Sequence, residues 1–320
     1  MLVILDLMKK NFRNIYLLIL LFILLGYKSY AQQDAQYSHY MFNGFVFNPA
    51  LAGNKESLSA LGLFRTQFVG VDGGPQTTTI SAHMPINKIS SGVGIHIIND
   101  KIGVANSNLN FMASYAYKYQ MANGILAGGI SIGMIQRTVD GTKLTPNETG
   151  DNAIPLGSVN VIKPDINIGV VYNTELYYVG LSATHLNRPN LDFVGSGNTD
   201  YRNTIHTNLV AGYNWNINPT IDIKPSVIIK YATSVSFDVN AMAFINQKYW
   251  GGLSYRLNDA IIGIVGFNVT PQIKFSYAYD YTLSNLNNAS TGSHEVILGY
   301  DVVFKKKVRP DIIIKTPRFL

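Results

Sequence analysis

Pro271-Gln272-Ile273-Lys274-Phe275-Ser276-Tyr277-Ala278-Tyr279-Asp280-Tyr281 is the stretch that decides the fold. Successive side chains of an extended chain point to opposite faces. Ile273, Phe275, Tyr277, Tyr279 and Tyr281 therefore share one face, and Gln272, Lys274, Ser276 and Asp280 share the other. The same period recurs in 203–215, where Ile205, Leu209, Ala211, Tyr213 and Trp215 oppose Thr204, His206, Asn208 and Asn214. In 221–231, Ile221, Ile223, Val227, Ile229 and Tyr231 oppose Asp222, Lys224, Ser226 and Lys230. In 294–304, Val296, Leu298, Tyr300, Val302 and Phe304 oppose Glu295 and Asp301. Such alternation suits a soluble sandwich with an apolar interior or a transmembrane barrel with an apolar exterior. Length separates them. These runs exceed the ~5–6 residues of ordinary strands and match the ~9–11 of a tilted transmembrane strand.

Composition agrees. Of 320 residues, 47% are apolar and only 14% charged, against about 25% charged in soluble chains. Beyond the N-terminus no apolar run approaches the ~20 residues of a spanning helix, so a membrane protein of this kind must be a closed barrel, which satisfies every backbone hydrogen bond in lipid. Fourteen segments are predicted as strands: 58–69, 76–86, 91–99, 107–119, 124–137, 164–173, 176–186, 203–216, 221–232, 235–246, 249–257, 260–269, 271–282 and 293–304. The expectation is an all-β, antiparallel up-and-down barrel with both ends on the periplasmic side. Long connections, 138–163, 187–202 and 283–292, follow strands five, seven and thirteen, while those after even strands are short. Trp215 and Trp250 fall near predicted periplasmic turns, where an aromatic girdle is expected.

Four regions follow: a signal peptide at 1–31, a plug or periplasmic segment at 32–57, the barrel at 58–304 and a periplasmic tail at 305–320. Lys9, Lys10 and Arg13 precede the apolar run Ile15 to Leu25, and Ser29-Tyr30-Ala31 offers a cleavage site before Gln32; Met8 is an alternative start, and an uncleaved anchor is the competing reading. Cysteine is absent, which removes disulfides and lipidation. Without 1–31 the charge falls from +6 to +3, with 21 basic against 18 acidic residues. That balance gives no ground for nucleic-acid binding. The basic cluster Lys305, Lys306, Lys307 and Arg309 is a candidate periplasmic docking site.

Nothing in the sequence points to an enzyme or a cofactor. Gly129-Ile130-Ser131-Ile132-Gly133 fits G-x-S-x-G, but lies in a strand-like run with no helix after it, where a nucleophile elbow requires a sharp strand-to-helix turn. His39, His83, His96, His185, His206 and His294 lack metal-ligand spacing. Asp140, Glu148 and Asp151 lack the dense oxygen pattern of a calcium loop. Arg65, Asp222, Lys224, Lys230, Asp238, Lys274, Asp280 and Asp301 fall on the polar faces. A Lys or Arg facing mid-bilayer lipid would cost about 2–4 kcal/mol, so these charges are expected in the lumen. A salt-bridge network closing the lumen is favoured over a conducting channel.

Gln36-Tyr37-Ser38-His39-Tyr40-Met41-Phe42-Asn43, followed by Asn48-Pro49-Ala50-Leu51-Ala52-Gly53, resembles the opening of the PorP/SprF family, type IX secretion system membrane proteins of Bacteroidetes. The resemblance continues through Arg65-Thr66-Gln67-Phe68-Val69-Gly70, Gly74-Pro75-Gln76-Thr77, Asp100-Lys101-Ile102-Gly103, Tyr178-Val179-Gly180-Leu181-Ser182, Trp250-Gly251-Gly252-Leu253-Ser254-Tyr255-Arg256, Tyr277-Ala278-Tyr279-Asp280-Tyr281-Thr282 and Gly292-Ser293-His294-Glu295, in order along nearly the whole mature chain. Phe68 stands where Trp is usual, and Asn43 to Asn48 departs from the usual early Asn-Pro. The resemblance implies an outer-membrane component of the secretion and gliding machinery. Its implied partners are an adhesin-like secreted cargo, periplasmic type IX components and outer-membrane lipid. Gln36, Tyr37, Tyr40, Asn48, Pro49, Ala50, Gly53, Arg65, Gln67, Gly74 and Pro75 are its motif residues, with structural or plug roles expected. Asn48-Pro49-Ala50 after an N-terminal segment also resembles FadL-type channels for hydrophobic solutes, which would need an apolar lumen pocket.

Overall fold

A computed structural model describes residues 34–145, 155, 157–192 and 201–303. The expected signal peptide, the tail with its basic cluster, and parts of the two longest loops lie outside the described residues.

Among the described residues fourteen antiparallel strands form one sheet. They are β1 (Ser57–Thr66), β2 (Gln76–Ile86), β3 (Ser91–Ile102), β4 (Asn106–Met121), β5 (Gly124–Asp140), β6 (Ser158–Asn173), β7 (Tyr177–Thr184), β8 (in two pieces, His206–Tyr213 and Trp215–Asn218), β9 (Ile221–Tyr231), β10 (Val235–Ile245), β11 (Tyr249–Arg256), β12 (Ala260–Asn268), β13 (Ile273–Thr282) and β14 (Ser293–Val303). Both pieces of β8 pair with β9. The break at Asn214 falls opposite Lys224, next to Pro225, which has no N–H for the ladder. Each strand pairs with the next, and β14 returns to β1 from Ser57↔Val303 to Thr66↔His294, so the sheet closes. Closure leaves no open edge for lipid to face.

The strand faces follow the alternation. Ile80, Leu253, Val265 and Leu298 point outward, 57–67% exposed, while Thr79, Ser254, Ser276 and Ala278 point inward and are buried. The inner face is not uniformly polar, however. Leu61 and Leu63 of β1 and Ile262 and Ile264 of β12 are buried inside. They pack against residues 35–47, which supply the apolar partners that lumen water could not. Trp250 departs from the expected girdle. Alternation sends Tyr249 outward and Trp250 inward, where the indole is buried against Phe42 and Phe244. Trp215 does face outward, alongside Tyr213 and Tyr249 near the same end.

The two ends of the barrel differ. Turns after even-numbered strands are short, and those after β1, β5, β7 and β13 are long. β7 ends two residues earlier than the pattern predicts, because His185 adopts φ 57° and turns the chain. Residues 34–56 occupy the lumen as one helical turn, α1 (Gly44–Phe47), a 3₁₀ turn (Pro49–Leu51) and extended links. They start near the long-loop end and reach β1 at the short-turn end.

Candidate functional site

Among the described residues the lumen segment binds the wall through three sets of contacts, two of them built from stretches of the motif residues. Nearest the long loops is a buried ionic network. Glu295 on β14 accepts the backbone N–H groups of Ser38 and His39, both at 2.8 Å, and meets His39 Nδ1 at 2.7 Å. Opposite it in register on β1, Arg65 donates to Glu295 (3.2 Å), to Asp280 on β13 (2.8 Å) and to Ser38 Oγ (2.7 Å). Arg256 on β11 donates to Asp238 on β10 (3.1 Å) and to the Tyr37 carbonyl (3.3 Å) and lies 3.4 Å from both Asp280 and Asp259. Arg65, Arg256, Asp238, Asp280 and Glu295 are at most 2% exposed. Charges held so far from water are stable only when paired and hydrogen-bonded. Here the pairing is completed by the lumen segment itself.

The second set anchors the start of the segment. Asp34 bridges His185 Nε2 (3.0 Å) and His206 Nδ1 (3.0 Å), and His185 Nδ1 meets Asp165 on β6 (2.7 Å). Burial would lower the His185 pKa, but the Asp34 charge and the bonds to Asp165 and Asp34 outweigh it and raise it to about 10. Asp34 is half-exposed; desolvation would raise its carboxyl, but the charges of His206 and His185 and their hydrogen bonds outweigh it and hold the group well below the usual carboxylate range.

The third set explains Asn48-Pro49-Ala50 and Gly53. Asn48 Oδ1 accepts from Ala50 N (3.0 Å), and its Nδ2 donates to the Val170 carbonyl on β6 (3.1 Å) and the Leu181 carbonyl on β7 (3.3 Å). The wall meets this turn with glycine. A Cβ on Gly129 would strike the backbone of Pro49 and Ala50, and one on Gly169 would strike the Asn48 amide. Gly53, at φ 62°, lies against the backbone of Met84 and Gly92 and donates to His83 Nδ1 (3.1 Å). Glycine is what permits backbone to approach backbone this closely.

The remaining sequence candidates divide. Tyr37 OH bonds Thr79 (2.8 Å) and Tyr40 OH bonds Ser226 (2.9 Å), both deep in the lumen. Gln36 and Lys230 line the same small pocket, and the Lys230 ammonium sits 5.4 Å over the Phe47 ring. Gln67, Gly74 and Pro75 are not in the plug. They shape the β1–β2 loop, with Gln67 N donating to the Pro75 carbonyl (2.8 Å). Lys274 pairs with Asp301 (2.6 Å), and Lys224 stacks over Phe244 (4.6 Å) near the short turns, where Asp222 meets the Gln247 side chain. Lys305, Lys306, Lys307 and Arg309 lie outside the described residues. Ser131 lies within β5, bonded to Ser114 (2.6 Å), in a straight strand rather than an elbow. The sequence reasoning did not single out Asp34, Ser38, His39, Asp165, Arg256 and Glu295 as charge partners. For Arg256 and Glu295, strand parity carries the signal; for Asp34 and Asp165, only the fold brings the partners together.

Residues 29–300 match the sequence model of a family described as Type IX secretion system membrane protein PorP/SprF. A comparison with curated proteins gave no match. Among solved structures, the CymD monoaromatic hydrocarbon channel aligns with TM-score 0.53 at 12% identity over 82% of this chain and 92% of its own. Omp33 of Acinetobacter baumannii aligns with TM-score 0.45 at 10% identity over 78% and 99%. A FadL homologue from Pseudomonas aeruginosa gives 0.43 at 10% identity over 77% and 89%. At these identities CymD speaks for the barrel fold alone.

Proposed function

This chain belongs to the PorP/SprF family of type IX secretion system membrane proteins, and on that premise we propose that it is a non-catalytic anchor of the machinery, docking an adhesin-like cargo at one rim and periplasmic components at the other. It is an outer-membrane β-barrel. The observation that carries the proposal is the buried network joining Ser38 and His39 to Arg65, Glu295 and Asp280. Such a network fixes a segment in the lumen, which suits a rigid platform better than a passage. The rims then supply the binding surfaces. The long loops after β5 and β7 would meet cargo, because long loops are extracellular in such barrels. Residues 305–320 follow β14, which ends among the short turns. Their cluster Lys305, Lys306, Lys307 and Arg309 would meet acidic surfaces of the periplasmic apparatus.

The test is isolation of the protein from outer membranes in mild detergent, with identification of the proteins that accompany it. Recovery of a type IX cargo or periplasmic component supports the proposal, and its loss on deletion of 306–320 assigns the periplasmic contact to the tail. A lone barrel with high single-channel conductance overturns it.

A further inference from the structure

At the short-turn end the lumen holds a cavity of about 540 Å³ between the lumen segment and β7 to β14. This lies within the ~300–1,000 Å³ range of small-molecule sites. One side is aromatic: Phe42 of the segment, Phe244 and Trp250 lie with ring centroids 5.5–6.4 Å apart. Lys55, Lys224 and Lys274 also line it, together with a single carboxylate, Asp301. Lys55 (3.2 Å) and Lys274 (2.6 Å) share that carboxylate. Lys224 stands over the Phe244 ring at 4.6 Å. Among the described residues three ammonium groups and one carboxylate line the cavity, and Asp222 beside it is engaged by Gln247, so the lining is short of negative charge. Burial, and after it the nearby Lys274, push Lys55 down to about 8 despite Asp301.

We propose that this vestibule binds a terminal carboxylate carried on an aromatic or aliphatic body, with the body against Phe42, Phe244 and Trp250 and the carboxylate between Lys224 and the Lys55–Lys274 pair. A cation is repelled there, and a neutral apolar molecule gains the aromatic contacts but leaves the charge uncompensated. The carboxylate belongs either to a free organic acid or to the C-terminal residue of a polypeptide. The site stands on the barrel geometry and not on the secretion reading, so each is tested separately.

The chain has two tryptophans, and only Trp250 lines the cavity. In full-length protein carrying Trp215→Phe, Trp250 becomes the sole indole reporter. Titration with 3-phenylpropionate is expected to shift its emission at least tenfold more tightly than the neutral 3-phenylpropanol. Lys224 has no carboxylate partner among the described residues, so Lys224→Gln leaves no buried carboxylate unpaired and is expected to abolish that preference while retaining binding of the alcohol. N-acetyl-glycyl-phenylalanine supplies the same chemistry from a chain terminus. If it binds more tightly than 3-phenylpropionate the source is a polypeptide end, and if less tightly a free acid; either supports the site. Equal affinity for the acids and the neutral alcohol, or an unchanged preference in Lys224→Gln, overturns it.

Discussion

Glu295 receives the backbone N–H of Ser38 at 2.8 Å across 257 positions of sequence, so the last strand of the barrel holds the segment that precedes the first. Removing one partner of a buried charge pair costs about 3–5 kcal/mol, because the other charge is left uncompensated. Glu295→Ala is expected to lower stability by that order and Glu295→Gln by less. Both should raise single-channel conductance by loosening the segment. Thermal unfolding in detergent and planar-bilayer recordings check this; a stable Glu295→Ala barrel with unchanged conductance would show that the segment is held by other contacts.

Adjacent glycines on β5 give a paired test. Gly129 faces the Pro49-Ala50 backbone, whereas a Cβ on Gly128 meets open space. Gly129→Ala is expected to cost about 1–3 kcal/mol through overpacking and to expose residues 34–56 to protease. Gly128→Ala is expected to be silent in limited proteolysis. Equal resistance of the two variants would remove close approach as the reason for glycine at 129.

Much of this was open to sequence reading, and the limit has a physical cause. The strands of β9, β13 and β14 are legible because lipid demands an unbroken apolar face, which imprints a period of two on sequence. Arg65, Asp238 and Asp280 are legible as lumen charges by the same parity. Their partners are not, because the pairing of Arg65 with Glu295 depends on which strand closes the barrel. His39, Asp34 and Asp165 sit outside any alternating run or have their partners in loops, so periodicity carries no information about them. Trp250 was misplaced by position alone: nearness to a turn predicts a girdle, and parity at Tyr249 sends the next residue inward.

The Asp34 anchor should respond to pH in opposite senses. His185 has its pKa raised from 6.5 to about 10, so its contribution is full below 6.5 and is lost as pH rises through about 10. Asp34 is lowered below 3.8, so its contribution is full above 3.8 and is lost as pH falls through its depressed value. The anchor is therefore strongest between these limits. A spin label beside residue 34 should gain mobility at both extremes. Asp34→Asn should bring the His185 titration, followed by NMR, back toward 6.5. A His185 titration unmoved by Asp34→Asn would contradict the bridge.

Leu253 is 67% exposed midway along β11. Facing lipid at that depth, Leu253→Arg is expected to cost about 2–4 kcal/mol. Folding titrations into vesicles measure it. A neutral effect would place this face away from hydrocarbon.

The register that closes the barrel sets Arg65 directly across from Glu295, and the other ligands of that pair include Ser38 and His39. A seam zipped without the segment in place would leave Arg65 and Glu295 paired to each other but without Ser38 and His39. The segment and the seam therefore favour one another: residues 34–56 in place between the two edge strands complete the ligand set of the closing pair, and closure in turn holds them there.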